Sequence, residues 1–469
     1  MALAVVVTLL VIGSLVFHFV SPWWFTPLAS NWSAIDDTII LTFWVTGIVF
    51  VAINLFLAWC VYRYRYKEGQ KASYEPENSR LEIWLTGITT VGVIAMLAPG
   101  LIVWAEFVQV PDNAVEVEVI GQQWHWSYRY PGDDGEFGDV DPTLISVGNP
   151  FGMDPTDERG QDDILVANPQ MHLQIDQPVK ILMRSKDVLH NFSVAEFRVK
   201  MDMVPGMLTY MWLTPTLEGS YDVLCEELCG MAHHAMRGKV VVEGKDAYEA
   251  WIASQPTYAE ILAATPGDAV AGKTAYGPCA GCHGQNGEGN LAMNSPKLSG
   301  IDDWYLRRQL NNYKLVTRGT DPSDVFGAQM RGMVATLFND KAINDVVAYI
   351  GTLPDTPAEP TISGNISNGK KLYETCVNCH GAEGQGIWAM NAPRIAGISD
   401  WYTANQLRNF RDGLRGAHPQ DFYGQQMAQM AQMLNEEHEI NDVIAYMNTL
   451  GASFGEQQVA GIETTETFK

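Results

Sequence analysis

The sequence predicts a multidomain chain with transmembrane α-helices at its N-terminus, an all-β domain in the middle and two all-α modules at its C-terminus. Three observations support this fold class. Three long uncharged apolar stretches fill the first 110 residues, apolar and acidic residues alternate from Val115, and the motif C-x-x-C-H occurs twice, 97 residues apart. A chain of 469 residues is long enough for about three domains.

The overall charge is strongly acidic. Asp and Glu outnumber Lys and Arg by 54 to 30, which gives a net charge of −24. A nucleic-acid partner is excluded, because phosphate recognition depends on Lys and Arg. The acidic surface instead favours solubility and positively charged partners.

The three apolar stretches predict membrane helices at about 2–20, 38–61 and 83–107, within a membrane portion that covers residues 1–110. Each stretch is long enough to cross a hydrocarbon core of ~30 Å. The segment between the second and third helices is basic, with Arg63, Arg65, Lys67, Lys71 and Arg80. The positive-inside rule therefore places this segment in the cytoplasm and everything after Val110 outside.

Three features of this portion bear on how it lies in the membrane. The first stretch is also compatible with a cleaved signal peptide, although it lacks a basic start. Trp23, Trp24 and Trp32 occupy positions where an aromatic belt at the lipid surface is expected. Glu82 opens the third helix, where a charge is either functional or an interfacial group that faces water.

The segment 111–245 is predicted to be the all-β domain. Alternation of Val and Glu from Val115 to Val119 is typical of a strand, and further strand-like runs occur at 179–183, 207–213 and 239–243. Several short strands with turn signals indicate a sandwich or a Greek-key barrel. The acidic run 131–163 is interpreted as a solvated loop or a docking surface, with a calcium site as the alternative.

A late loop of this domain carries sulfur and imidazole groups that together predict a copper site. Thiolate, thioether and imidazole are soft ligands, and such sets select copper. Two cysteines four residues apart can bridge two metal ions, and each ion then needs one imidazole. The predicted ligands are Cys225, Cys229, His190, His233, Met236 and the backbone carbonyl of Glu227. The alternatives are a disulfide in a small loop, and His234 in place of His233.

The two C-x-x-C-H motifs, at 279–283 and 376–380, predict two covalently attached haems. In each motif the cysteines form thioethers and the histidine is an axial ligand, so the haem-binding residues are Cys279, Cys282, His283, Cys376, Cys379 and His380. Adding 97 to each residue number superimposes the copies without a gap. The modules are predicted at 265–354 and 362–451, followed by a polar tail at 452–469 that is expected to be disordered.

Methionine is the predicted second axial ligand, because it raises the haem potential. The repeat offers three matched pairs, Met293 with Met390, Met330 with Met427, and Met333 with Met430. Core packing is the alternative role for most of these side chains.

The pattern C-x-E-x-C-x-x-x-H-x-x-M, the upstream D-V-L-H at 187–190 and the run Q-W-H-W-S-Y at 123–128 resemble subunit II of cytochrome c oxidases over residues 30–245. This resemblance implies a cupredoxin-like fold and a dinuclear copper A centre. It also implies electron entry at Trp124, a magnesium ion that the Glu227 carboxylate reaches at the border with subunit I, and a proton-channel mouth at Glu82. Two departures are His125 for the usual tyrosine and Ala195 for a common proline.

The C-terminal modules resemble class I c cytochromes, especially tandem dihaem forms, over about 265–451. In that family the axial methionine is the first of an M-x-x-M pair, which selects Met330 and Met427. Pro296 and Pro393 match the residue that orients the axial histidine.

Together these features predict the electron-entry subunit of a haem–copper cytochrome c oxidase in a bacterial inner membrane, with its copper and haem domains in the periplasm. Electrons would come from a periplasmic cytochrome or a quinol-oxidising complex and leave to subunit I, which reduces oxygen to water and pumps protons. Subunit III and membrane lipid are further expected partners. The alternatives are the small subunit of a copper A-type nitric oxide reductase, a nitrous oxide reductase and a plain dihaem electron carrier.

The length of the tethers leads to an expected order of the modules. The first module follows the copper domain after a linker of about ten residues, so its haem is expected next to copper, with the second module outermost.

Overall fold

The computed structural model describes residues 2–21, 26–71, 76–146, 149–263 and 266–450. Trp23, Trp24 and the tail at 452–469 lie outside these residues. The described N-terminal part contains α1 (Ala2–Val20), α2 (Ser33–Arg63) and α3 (Ser79–Phe107), each long and apolar enough to cross a membrane. Helix α1 packs on α2, and α2 packs on α3. Most of their apolar side chains are exposed, as expected for helices that contact lipid.

Trp32 connects this helical part to the β domain, and its predicted place at the lipid surface is wrong. The side chain is buried, and its indole N–H donates to the carbonyl of Trp212 at 3.0 Å. The two indole rings meet edge to face, with their centroids 4.8 Å apart. Beside them Arg198 forms an ion pair with Asp36 of α2 at 2.7 Å. Trp32 therefore packs at the interface between the helical part and the β domain and does not face lipid.

The middle domain is a sandwich of two five-stranded sheets, with strand orders β3-β2-β1-β5-β8 and β4-β10-β9-β6-β7. Its described strands are β1 (Val115–Gln122), β2 (His125–Tyr130), β3 (Ile164–Val166), β4 (Gln170–Gln174), β5 (Val179–Ser185), β6 (His190–Val194), β7 (Val199–Met203), β8 (Thr209–Leu213), β9 (Gly219–Cys225) and β10 (Arg237–Glu243). The pairs β1–β5 and β4–β10 are parallel. The four predicted strand runs coincide with β1, β5, β8 and β10. The predicted fold class, an all-β cupredoxin-like domain between two sets of helices, is confirmed.

Strand β1 is buried on both faces from Val117 to Gly121, although its sequence alternates between valine and glutamate. Glu118 is buried, and it forms ion pairs with Arg129 at 2.7 Å and with Arg184. Arg129 also pairs with Asp163 at 3.1 Å, at the end of the acidic run 131–163. This run therefore covers the outer face of the strand, and a buried carboxylate is tolerated there because it is paired.

The segment after the β domain folds back on it and does not act as a loose tether. It forms α4 (Lys245–Ile252) and α5 (Tyr258–Ala263). Trp251 stacks on the imidazole of His172, with ring centroids 3.9 Å apart. The buried Tyr258 donates its hydroxyl hydrogen to the carbonyl of Met153 at 3.3 Å.

The two C-terminal modules repeat each other with a constant offset of 97 residues. The first contains α6 (Ala269–His283), α7 (Asp303–Lys314), α8 (Val325–Val334) and α9 (Asp340–Ile350), and the second α10 (Ile366–His380), α11 (Asp400–Arg411), α12 (Phe422–Ala431) and α13 (Glu437–Met447). In each module the first helix crosses the last at a glycine. A Cβ atom on Gly272 or Gly369 would lie 1.9 Å from a carbonyl oxygen of the crossing helix, so only glycine permits this approach.

A buried network with twofold symmetry joins the modules. Its members are Tyr305, Gln309 and Arg318 with their counterparts Tyr402, Gln406 and Arg415. Each arginine donates to the glutamine of its own module at 2.6–2.7 Å and to the tyrosine and glutamine of the other at 2.9–3.0 Å. Asp355, in the connection between modules, pairs with Lys297 and Arg394, another matched pair of the repeat. The modules thus form one body.

Candidate functional site

The sheet β4-β10-β9-β6-β7 positions the predicted copper ligands at one of its edges. Strand β9 ends at Cys225, and β6 begins at His190. Because Phe192 of β6 is in register with Cys225, the histidine and the cysteine lie at the same end of the sheet. The loop after Cys225 then returns through a short 3-10 turn, His233–Ala235.

The two cysteine sulfurs lie at the centre of this group, 3.7 Å apart. His190 Nδ1 lies 3.9 Å from the sulfur of Cys225, and His233 Nδ1 lies 3.5 Å from the sulfur of Cys229. The two weak donors are also close, with Met236 Sδ 3.8 Å from Cys229 Sγ and the Glu227 carbonyl 3.2 Å from Cys225 Sγ. The structure therefore brings all six predicted donors together.

The geometry favours a metal centre over the alternatives. A sulfur–sulfur distance of 3.7 Å is far above the ~2.05 Å of a disulfide. His234 is exposed, whereas the contacts above bring His233 to the sulfurs. Across the part of the chain that the structure describes, His190, Cys225 and Cys229 are the one group of three His, Cys, Asp or Glu side chains close enough to hold a metal ion.

Hydrogen bonds within this group shift the pKa values of its members. The close contact between the two sulfurs lowers the pKa of Cys225 to about 3 and raises that of Cys229. Burial lowers the pKa of His190, but hydrogen bonds with Asp187 and Cys225 outweigh it and raise the pKa above its ordinary value. His190 Nε2 lies 2.8 Å from the Asp187 carboxylate, which leaves Nδ1 to face the sulfurs. A carboxylate behind a ligating imidazole is a common way to fix its orientation.

Trp124 is buried between this copper loop and the second helical module. Its ring packs against Gly230, where a Cβ atom would lie 3.1 Å from Cζ2. The neighbouring Gln123 donates to the carbonyl of Cys229 at 2.6 Å. On the other side, Gln426 of α12 donates to the carbonyl of Trp124 at 2.6 Å.

Both C-x-x-C-H motifs line one continuous cavity of about 660 Å³. His283 and His380 each place Nδ1 2.7 Å from a carbonyl oxygen, that of Pro296 and Pro393 respectively. A carbonyl accepts only, so Nδ1 carries the hydrogen and Nε2 keeps its lone pair. Burial lowers the pKa of both histidines, which favours the neutral imidazole that binds iron.

The cysteines of these motifs differ from Cys225 of the copper loop, whose pKa is lowered. Burial raises the pKa of Cys376 to about 12 and that of Cys379 to about 11, and it also raises that of Cys279. Such thiols stay protonated and lack the metal-binding thiolate form. Their position in an apolar cavity fits attachment to a haem through thioethers.

All three matched methionine pairs line the same cavity. Met390 and Met430 also pack against the core of the β domain, and 39% of Met333 is exposed. Met330 packs against the core of its own module. Met330 and Met427 as axial ligands stay a prediction.

The second module, and not the first, docks on the β domain, so the expected order of the modules is wrong. The Tyr423 hydroxyl lies 3.2 Å from His125 Nε2 and 3.1 Å from the carbonyl of Ala167. Gln122 donates to the carbonyl of Ala389. Arg308 of the first module reaches this junction, where its guanidinium lies 4.0 Å from the Tyr423 ring centroid. The prediction treated the segment before the first module as a free tether. Because α4 and α5 of this segment are folded on the β domain, its length does not determine which module lies next to the copper loop.

Glu82 lies apart from these groups. It is exposed in the first turn of α3, after the N-cap residue Asn78. Its role at a proton-channel mouth stays a prediction.

Comparison with known proteins agrees with this arrangement. The family model for the periplasmic domain of cytochrome c oxidase subunit II matches residues 115–244, and the cytochrome c model matches 269–354 and 366–451. The alternative cytochrome c oxidase subunit 2 of Bradyrhizobium diazoefficiens is 57% identical over 259 residues, which cover 55% of this chain and 94% of that protein. This chain belongs to the cytochrome c oxidase subunit 2 family.

Two further proteins are similar to parts of this chain. The cytochrome c oxidase subunit 2 of Cereibacter sphaeroides is 30% identical over 51% of this chain and 82% of its own length. The crystal structure of reduced cytochrome c4 from Pseudomonas stutzeri is 27% identical, with a TM-score of 0.32, and covers 39% of this chain and all of that one.

Membership in this family makes the chain a component of an oxidoreductase complex with a role in electron transfer, and it implies association with subunit I. The subunit II match implies copper A, and the two cytochrome c matches imply haem. The apolar N-terminal helices are consistent with a membrane anchor for a periplasmic copper domain.

Proposed function

We propose that this subunit receives electrons from a periplasmic donor and passes them one at a time through two covalent haems to a dinuclear copper A centre, and then to subunit I. The donor is a soluble cytochrome or a quinol-oxidising complex. The order of carriers is the haem on His283, the haem on His380, and copper. The docking of the second module against Trp124 and the copper loop carries this proposal.

Each step of the path is supported by a contact within the described chain. The haem cavity runs through both modules, so the two C-x-x-C-H motifs face one shared apolar interior. The same cavity is lined by Trp124, which packs against the loop that holds Cys225 and Cys229. When bound, the haems supply reversible one-electron chemistry, while the chain fixes their spacing and excludes water.

At the copper site, Cys225 and Cys229 would bridge the two ions, and His190 and His233 would each ligate one. Met236 and the carbonyl of Glu227 are the weak outer ligands. Sharing the charge between two ions limits rearrangement when an electron arrives. The Glu227 side chain is only partly buried, and we propose that it reaches a magnesium ion at the border with subunit I.

Oxygen chemistry is assigned to the partners of this chain. In subunit I, four electrons and four protons would reduce one oxygen molecule to two waters, coupled to proton pumping. Glu82, at the start of α3 and in the cytoplasm by the positive-inside rule, would stand at the entrance of a proton channel. Subunit III and lipid would surround the exposed membrane helices.

The purified complex provides the test. It should consume oxygen, not nitric oxide, with electrons from a reduced soluble cytochrome c. Cys229→Ser should abolish the near-infrared absorption of copper A while both haems stay attached, and Cys60→Ser, in α2, should leave that absorption intact. Two coppers per chain in Cys229→Ser, or preferred consumption of nitric oxide, would refute the proposal.

A further inference from the structure

The face that the second module uses for docking has a counterpart on the first module. Contacts with the β domain involve Met390, Tyr423, Gln426 and Met430, together with the carbonyl of Ala389. Subtracting 97 gives the counterparts Ala292, Met293, Phe326, Gln329 and Met333. We call these five residues, with Leu291 and Val325, the open face.

Side chains of the open face are exposed although most of them are apolar. The exposed fraction is 46% for Met293, 50% for Phe326 and 54% for Leu291. An exposed apolar patch of this kind on a folded module commonly marks a site of interaction. In the second module the equivalent side chains are partly buried, except that of Ala389.

The open face also borders a redox site. Met293, Val325, Phe326 and Met333 line the same cavity as the C-x-x-C-H motif at 279–283. A protein bound here would therefore lie next to the haem of the first module, as the β domain lies next to that of the second.

The charge of the open face indicates which class of protein can bind there. The open face has no ionisable side chain, and residues 266–354 contain eight acidic and eight basic residues. By contrast, residues 111–245 contain 22 acidic and 10 basic residues. The second module's contacts through Tyr423, Gln426 and Ala389 also involve uncharged groups.

We propose that the open face is the docking surface for the external electron donor, a small haem protein whose haem edge is rimmed by uncharged, apolar side chains. This inference rests on the proposed function, because it takes the first haem as the point of entry. Each module would then use the same face to bind a redox partner. The second module binds the β domain of its own chain, and the first module binds a soluble donor.

Two phenylalanines of the first module, one on the open face and one outside it as a control, test the inference in the complete complex. Phe326 belongs to the open face, whereas Phe338 is 88% exposed and does not line the cavity. The probe is a reduced soluble c-type cytochrome of near-neutral net charge, and its second-order rate of haem reduction is measured. Phe326→Asp should lower this rate about tenfold or more, and Phe338→Asp should leave it within about twofold. Equal effects of the two variants would overturn the inference.

Two further measurements test whether the open face binds the soluble cytochrome. Binding of a zinc-substituted, redox-inert form of the same cytochrome should weaken in parallel with the rate, and it should depend little on salt. A steep salt dependence would place the donor on the acidic β domain and overturn the inference. So would a change in oligomeric state of the complex in Phe326→Asp, because the face would then join two copies of the chain.

Internal electron transfer, started by a small photoreductant that needs no docking, separates this inference from the proposed function. If the haems and copper of the unaltered complex exchange electrons but Phe326→Asp has no effect on the cytochrome, only the docking surface is wrong. If they do not exchange electrons, the proposed function itself fails.

Discussion

The two haem modules have the same helices and the same motifs, yet their surroundings differ. In the second module, Tyr423 and Gln426 contact the β domain beside Trp124. In the first, Phe326 and Gln329 occupy the equivalent positions and are exposed. A duplicated module has thus kept one interior and acquired two kinds of neighbour. Because the interior is common to both modules, it is the surface of each module that decides its position in the electron path proposed above.

Removing one haem at a time should give the largest effect. With Cys376→Ala and Cys379→Ala, photoreduced haem in the first module should no longer reduce copper, because the only carrier in contact with Trp124 is lost. With Cys279→Ala and Cys282→Ala, exchange between the second haem and copper should continue, although a soluble donor reduces the complex slowly. Flash photolysis follows haem and copper bands separately, and the reverse pattern would restore the order inferred from the tethers.

Changing one axial ligand should shift a potential in one module alone. Met427→His should lower one haem potential by on the order of 0.1 V, since imidazole donates more strongly than thioether and axial ligands span ~0.8 V. Met330→His should do the same to the other haem. Redox titration gives both values. A shift in Met430→His or Met333→His instead would show that the second methionine of each pair is the ligand.

Acid should weaken the docked junction and leave the open face unaffected. Burial lowers the pKa of His125 to about 3, below the ~6.5 of an unfolded histidine. The folded state then binds fewer protons than the unfolded state between these values, so stability is lost as pH falls below about 6.5. For one proton, the free energy of unfolding falls by ~1.4 kcal/mol for each pH unit below 6.5, which amounts to about 2 kcal/mol at pH 5.

His125→Gln should remove this contribution, and His234→Gln, at an exposed position, is the control. The melting temperature of the variant should exceed that of the unaltered complex increasingly as pH falls from 7 to 5. Parallel pH profiles for the two proteins would show that His125 is not held neutral at the junction.

The smallest effect is expected from one hydroxyl group. Tyr423→Phe removes the contacts with His125 and Ala167 and should cost about 1 kcal/mol of docking. Exchange between haem and copper should slow modestly, with absorption spectra unchanged. Tyr446→Phe is the control, because Tyr446 packs on Tyr373 inside the module. Identical exchange rates in both variants would show that the hydroxyl is not part of the docking contact.

Periodicity and spacing in the sequence predicted much of the fold. The offset of 97 residues reproduces the helix bounds of both modules, because a repeat without gaps has the same local interactions in each copy. Most of the candidate copper donors were also predictable. Cys225, Cys229, His233 and Met236 lie within twelve residues, from the end of one strand through a loop and a turn, so local geometry brings them together. His190 lies upstream of this loop and was predicted from its ligand chemistry, and the register of β6 against β9 brings it to the site.

Features that depend on packing between distant segments were not predictable. Glu118 follows a strand alternation typical of a solvated face, but a loop dozens of residues away covers it. Docking of the second module depends on Tyr423 meeting His125, almost 300 residues earlier in the chain. The one available signal was His125 itself, where the family has tyrosine.

The twofold network of Arg318 and Arg415 limits how this protein can grow by duplication. In that interface each module presents the same patch to the other, so the contact is isologous and closes on itself. A third copy would find the patch already used on both modules and could join only through another surface. An isologous pair therefore stops at two modules, whereas a head-to-tail contact would have allowed a chain of any length.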